Sequence, residues 1–133
     1  MLTISSKAPS AVRALTELAR RQDDGPVPIG DIARRREIPV QFLEAVFGTL
    51  RRAGVLQSQR GVKGGYSFAR PPAALTVLEV VEVLDGPLGA EAAGQDAIWP
   101  EAVDAVRAVL GGTTIAELAE REARAAGAAM YYI

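Results

Sequence analysis

Residues 60–65, Arg-Gly-Val-Lys-Gly-Gly, set three glycines and two cations at one point of the chain. Glycine allows positive φ and lets a backbone come close to whatever it touches, and cations beside it suit a phosphate. Three readings fit: a phosphate loop for a small nucleotide, a finger reaching into the groove of a duplex, or a turn with no ligand. A phosphate loop needs a strand before it and a helix after it, with the helix N-terminus facing the anion. Here "VLQSQR" comes before and "GYSFAR" after, both strand-like, with Tyr66 and Phe68 alternating onto one face. That topology favours the duplex groove, with Arg60 and Lys63 at the tip and Arg60 suited to a narrow minor groove of strong negative potential.

The second constellation lies just upstream. Leu43, Val46, Phe47 and Leu50 fall at i, i+3, i+4, i+7 and define the core face of a helix. Its other face carries Gln41, Glu44, Ala45, Gly48, Thr49 and Arg52. Gln41 and Glu44 near the helix start can reach base edges, Arg52 can reach a phosphate, and the small Ala45 and Gly48 permit close approach. A plain solvated helix face is the alternative for that pattern taken alone.

Much other chemistry is excluded by composition. The 133 residues include no Cys and no His, so there is no disulfide, thiolate nucleophile, imidazole base or ordinary zinc, haem or cysteine-held iron–sulfur site. The carboxylates are dispersed without an acid–base pair at a recognisable spacing, and no Asp-rich calcium loop occurs. The sequence is not that of an enzyme, and no cofactor or metal is expected. Residues 1–70 hold 12 Lys/Arg against 6 Asp/Glu, and residues 71–133 hold 3 against 10. The net charge of −1 therefore hides a basic half suited to a polyanion and an acidic half that is not. No apolar run is long enough to span a bilayer and the first residues do not read as a secretion signal, so a cytoplasmic location is expected.

The elements that must position these residues follow from periodicity and caps. The pattern predicts a helix over 11–20, ended by "DDGPVP", a short one over 29–36, and a third from Pro39 to Arg52 with Gly54 as its stop. Two helices about three residues apart form a helix-turn-helix. The hairpin follows, then a helix opened by the Thr76/Glu79 capping box and closed near Gly86. Residues 87–98 read as a weakly structured connection. A helix over 99–110 and another from the Thr114/Glu117 capping box to about Ala125 complete the chain. The fold class is mainly α with a two-stranded β wing.

The stretches "SSKAPSAVRALTELA", "PIGDIARRREIPVQFLEAVFGTLRRAGVLQSQRGVKGGYSFAR" and "LTVLEVVEVLDGPL" together resemble the Rrf2 family of bacterial transcription regulators over residues 3–88. The resemblance implies a winged helix-turn-helix DNA-binding domain over 1–86, a loop at 87–98 where cluster-bearing relatives place three Cys, dimerisation and C-terminal helices over 99–126, and a tail over 127–133. It implies a homodimer on a pseudo-palindromic operator, with Gln41, Glu44 and Thr49 in the major groove, Arg60 and Lys63 in the minor groove, and Arg51 and Arg52 near the backbone. Ala102, Val103, Val106, Val109 and Leu110 would join the two subunits; completing the core of one subunit is the alternative for them.

This chain departs from the cluster-bearing members, since "PLGAEAAGQDAI" has no Cys. It is closer in character to the cluster-free repressors of cysteine metabolism in the family. The tail "GAAMYYI" adds to that resemblance: Met130, Tyr131, Tyr132 and the terminal Ile133 are similar to the segment with which serine acetyltransferase enters cysteine synthase, with Gly127 as a flexible lead. The reading is thus a repressor of sulfur or cysteine genes. The alternative is a winged-helix module acting mainly through a protein partner such as cysteine synthase, or a tail that merely packs on its own surface.

Overall fold

The computed structural model describes residues 3–131, with the side chains of 129–131 excepted. Six helices and one hairpin are arranged in the order α1 (Lys7–Arg20), α2 (Ile29–Arg36), α3 (Val40–Arg52), β1 (Leu56–Gln59), β2 (Gly65–Phe68), α4 (Val77–Asp85), α5 (Ile98–Gly111) and α6 (Ile115–Tyr131). Fold class and element order agree with the sequence reading.

Helix α1 begins a turn earlier than periodicity alone predicts. Ser5 is held from 80 residues away, its N–H and hydroxyl donating to the Asp85 carboxylate at 2.9 and 2.5 Å, and Pro9 suits a first helical turn. Ala11, Ala14, Leu15 and Leu18 then line the core, meeting Ile32, Leu43, Phe47, Leu50, Leu75, Val80 and Ile115. Burying such side chains contributes roughly 1.5–3 kcal/mol each for the larger ones. This single core therefore ties the helix-turn-helix, α4 and the start of α6 into one body.

The turn between α2 and α3 is Glu37-Ile38-Pro39. Glu37 sits in the left-handed region at φ 55°, ψ 46°, where the Glu37 and Ile38 N–H groups donate back to carbonyls of α2. Ile38 is buried and Pro39 caps α3, so the turn is fixed from both sides.

Strands β1 and β2 pair antiparallel with Leu56 opposite Phe68 and Gln59 opposite Gly65. A third segment joins them: Val27 and Tyr66 exchange both backbone hydrogen bonds, at 2.9 and 2.8 Å. Gly65 makes this possible, because a Cβ there would lie 2.3 Å from the Val27 carbonyl carbon. The Tyr66 ring meets Phe47 of α3 edge-on, centroids 5.1 Å apart, which seats the base of the hairpin on the core.

In the acidic half, Thr76 and Thr114 cap α4 and α6 as expected, accepting from the Glu79 and Glu117 N–H groups at 3.1 Å. The 87–98 connection is more ordered than its composition suggests: Leu88 and Ala92 are buried, and residues 90–92 form a 3₁₀ turn. Helix α6 does not stop near Ala125 but runs through Gly127 to Tyr131. One glycine costs only about 1 kcal/mol relative to Ala, and the flanking alanines are strong helix formers. Gly127 is therefore not a flexible lead. Met130 and Tyr131 belong to the helix, and Tyr132 and Ile133 lie outside the described residues. Among the described residues no helix is long and apolar enough to cross a membrane.

Candidate nucleic-acid interface

Helix α3 turns its apolar side fully inward: Leu43, Phe47 and Leu50 are buried completely and Val46 nearly so. Gln41, Glu44, Ala45, Arg51 and Arg52 consequently stand in solvent, with Gly48 and Thr49 half-exposed. The Gln41 and Glu44 side chains have no hydrogen-bond partner among the described residues, so their polar ends are available to a ligand. Thr49 is less free, its hydroxyl donating to the Ala45 carbonyl at 3.2 Å and accepting from Arg52 at 3.3 Å. The Arg52 guanidinium also lies over Gly48, so the space left by that glycine is occupied by an arginine rather than open.

Beyond the Gln59/Gly65 pair the hairpin projects as a free tip. The Gly64 N–H donates to the Gly61 carbonyl at 3.0 Å and closes the turn. Arg60, Gly61, Val62 and Lys63 are all exposed. Val62 reaches 104% relative exposure, an apolar side chain with no intramolecular contact to justify its place. Arg51 links the two parts of the surface, donating from the end of α3 to the Ser58 hydroxyl on β1 at 3.4 Å. Gln57 and Ser67 pair across the strands at 3.3 Å on an exposed or half-exposed face. Sequence reasoning missed Ser58, Gln57 and Ser67, although strand alternation places Gln57 on the face opposite the buried Leu56.

The cations of the basic half divide into two groups. Arg20, Arg21, Arg34, Arg36 and Arg70 are paired with carboxylates. Among the described residues, Arg51, Arg52, Arg60 and Lys63 form no ion pair. Lys7, Arg13 and Arg35 form none either, so four of the seven unpaired cations of the basic half lie at the end of α3 and on the wing, where a polyanion would replace water and counterions.

A network that the sequence did not disclose holds this unit from behind. Arg36, the last residue of α2, donates from Nε to Glu17 at 2.9 Å and from Nη1 and Nη2 to Glu122 at 3.0 and 2.6 Å. Arg20 adds a 3.3 Å contact to Glu122, and Arg13 donates to the Arg36 carbonyl at 2.7 Å. Hydrogen bonding to Glu122 is the main cause that raises the Arg36 pKa, against the opposing effect of burial. The same bonds hold the Glu122 carboxyl below the usual carboxylate range. Helices α1, α2 and α6 are thus joined at one guanidinium.

The five residues expected at a subunit contact behave differently from one another. Val109 is 68% exposed, beside Ile98 at 58% and Trp99 at 44% on the same helix. Ala102, Val106 and Leu110 are half-buried, whereas Val103 turns inward against the 87–98 loop. Among the described residues no group of three His, Cys, Asp or Glu is placed to hold a metal ion.

A slim exposed helix face beside a cationic β-finger is the surface of a winged helix-turn-helix, and the comparisons with known proteins agree. The Rrf2 model, described as an iron-dependent transcriptional regulator, matches residues 4–121. The chain belongs to the Rrf2 family. The HTH-type transcriptional regulator CymR of Bacillus subtilis is 32% identical over 138 residues, spanning 99% of this chain and 100% of that one. IscR of Xenorhabdus nematophila is 29% identical, spanning 91% of this chain and 81% of its own. The solved structure of B. subtilis CymR superposes with a TM-score of 0.84 at 33% identity, over 91% of this chain and 98% of the other. The structure of T. potens IscR gives 0.80 at 31% identity, over 91% and 88%. This Rrf2 member is accordingly a DNA-binding transcription regulator and not an enzyme.

Proposed function

We propose that the protein is a homodimeric repressor of sulfur or cysteine genes that works without an iron–sulfur cluster. One observation carries the DNA mode: α3 and the wing tip present free polar and cationic groups side by side, while the base of the wing is locked to the body. In this reading Gln41, Glu44 and Thr49 face the major groove, Arg51 and Arg52 lie on phosphates, and Arg60 and Lys63 follow the minor groove. Two such units related by a two-fold axis read half-sites a helical turn, or a multiple of it, apart. Val109, Ile98 and Trp99 on α5 supply the exposed apolar surface for the second subunit.

The cluster-free part rests on donor chemistry. Iron–sulfur clusters are held by thiolates, and the chain has neither Cys nor His. The link to sulfur rests on similarity to CymR, which is the global cysteine regulator of B. subtilis. A cysteine synthase partner rests on the terminal sequence alone, and pull-down with intact protein and with protein lacking Ile133 tests it; equal capture removes it.

Fluorescence titration of operator-containing duplexes at two salt concentrations tests the whole mode. Saturable binding that falls steeply with salt is expected. Arg60→Ala should cost about 1–3 kcal/mol of specific affinity, and Lys63→Ala should reduce the salt slope by about one. A protein acting only through protein partners shows no saturable, salt-sensitive binding to any duplex.

A further inference from the structure

We propose that the groove between α4, the 87–97 loop and α5 binds a free α-amino acid or a zwitterion of similar size. Its volume of about 610 Å³ lies in the range of small-ligand sites, roughly 300–1,000 Å³. Leu88, Ala93 and Val103 give it apolar walls, and Glu82, Asp104 and Arg107 give it charge.

The groove is built rather than incidental. Arg107 donates from Nη1 to Glu82 at 2.6 Å and to the Leu88 carbonyl at 3.4 Å. The Leu88 N–H donates to the same Glu82 oxygen at 2.9 Å. Gly89 lies at φ +74°, so close to α5 that a Cβ would fall 2.6 Å from the Val103 methyls. The loop is thereby clamped to both helices, and the guanidinium is fixed in place.

The remaining donors and acceptors define the ligand. Nη2 and Nε of Arg107 have no hydrogen-bond partner among the described residues, and neither has the exposed Asp104 carboxylate. Asp104 and Arg107 stand three residues apart on α5, which puts their Cβ atoms about 5–6 Å apart on one face. A simple anion would meet two carboxylates there, and a simple cation would meet the guanidinium. A molecule carrying ammonium and carboxylate on one carbon satisfies both, with its carboxylate on the planar edge of Arg107 and its ammonium on Asp104. As an effector site the groove rests on the regulator reading, but ligand binding itself is measured without DNA.

Isothermal titration calorimetry of the full chain with the common α-amino acids decides the matter, each binder being repeated as its N-acetyl derivative and its amide. Saturable binding is expected, weakened about tenfold or more by either block, because a charge-assisted hydrogen bond is lost. Asp104→Asn, at an exposed and unpaired position, should weaken it to the same extent. Ala93→Phe fills the groove from an exposed wall and should abolish it. Binding to none of the amino acids overturns the proposal, as does binding that survives either block or Ala93→Phe. Duplex titration of the same preparation is a separate measurement, so failure here is distinguishable from failure of the DNA reading.

Discussion

Replacing Arg36 by methionine removes the guanidinium that joins α1, α2 and α6, and the structure sets the size of the loss. Glu17 is left with only 7% of its side chain exposed and no partner, whereas Glu122 at 36% can turn to water. Breaking one side of a buried pair costs about 3–5 kcal/mol. Solvent screening at the half-exposed Glu122 holds the loss to the lower end of that range. A loss of about 3 kcal/mol is therefore expected. For a chain of 133 residues it corresponds to a fall in Tm of about 10 °C, read by thermal or urea denaturation followed by circular dichroism.

The pH dependence separates this account from general damage to packing. In the native protein the Arg36 bonds lower the Glu122 pKa below its unfolded value. That contribution is present above the ordinary carboxylate range and is lost as pH falls through the lower folded value. Between pH 7 and 5.5 the native stability from this pair should hardly move. In Arg36→Met the Arg36 bonds to Glu122 are gone, so the part of the acid-side loss of stability that they produce should be absent. Adding Glu17→Leu should restore most of the loss at pH 7. A loss under 1 kcal/mol in the single variant, or a double variant no better than the single, would mean that the Arg36 guanidinium does not hold the three helices together.

Three further outcomes follow from particular positions. Glu37→Gly should raise stability by about 1 kcal/mol in urea denaturation, since glycine takes the left-handed turn position without the steric penalty. Gly65→Ala should destabilise by more than 2 kcal/mol and remove the protection of the Val27 and Tyr66 amides from hydrogen exchange, because its Cβ would strike the Val27 backbone. Val109→Glu, at an exposed site on α5, should leave the circular dichroism spectrum intact and shift sedimentation from dimer to monomer.

Elements bounded by local signals were legible in the sequence. Pro39, the two Thr–Glu caps and the i, i+3, i+4, i+7 set of α3 each act within one turn of helix, so periodicity and capping locate them. The features it hid depend on partners distant in the chain. Ser5 meets Asp85, Glu17 meets Arg36 and Arg36 meets Glu122, and no local pattern encodes such pairings. Glu37 is a different case, because the usual glycine signal of a left-handed turn is absent and the buried Ile38 imposes the conformation instead. At the interface, residue types showed which side chains were suited to DNA but not which were already engaged. Thr49 and Arg52 bond to each other on α3, Arg51 bonds to Ser58, and Gln41, Glu44, Arg60 and Lys63 are left open.

The backbone exchange between Val27 and Tyr66 works as a knuckle joint soldered shut. The distance from that joint to α3 is fixed by the Phe47–Tyr66 contact, and only residues 60–64 extend beyond the paired strands. The fold thus resembles a caliper whose jaws, α3 and the wing, are set at one opening. In the proposed DNA mode, the spacing between the recognition helix and the base of the wing is therefore set by the protein before any duplex is met.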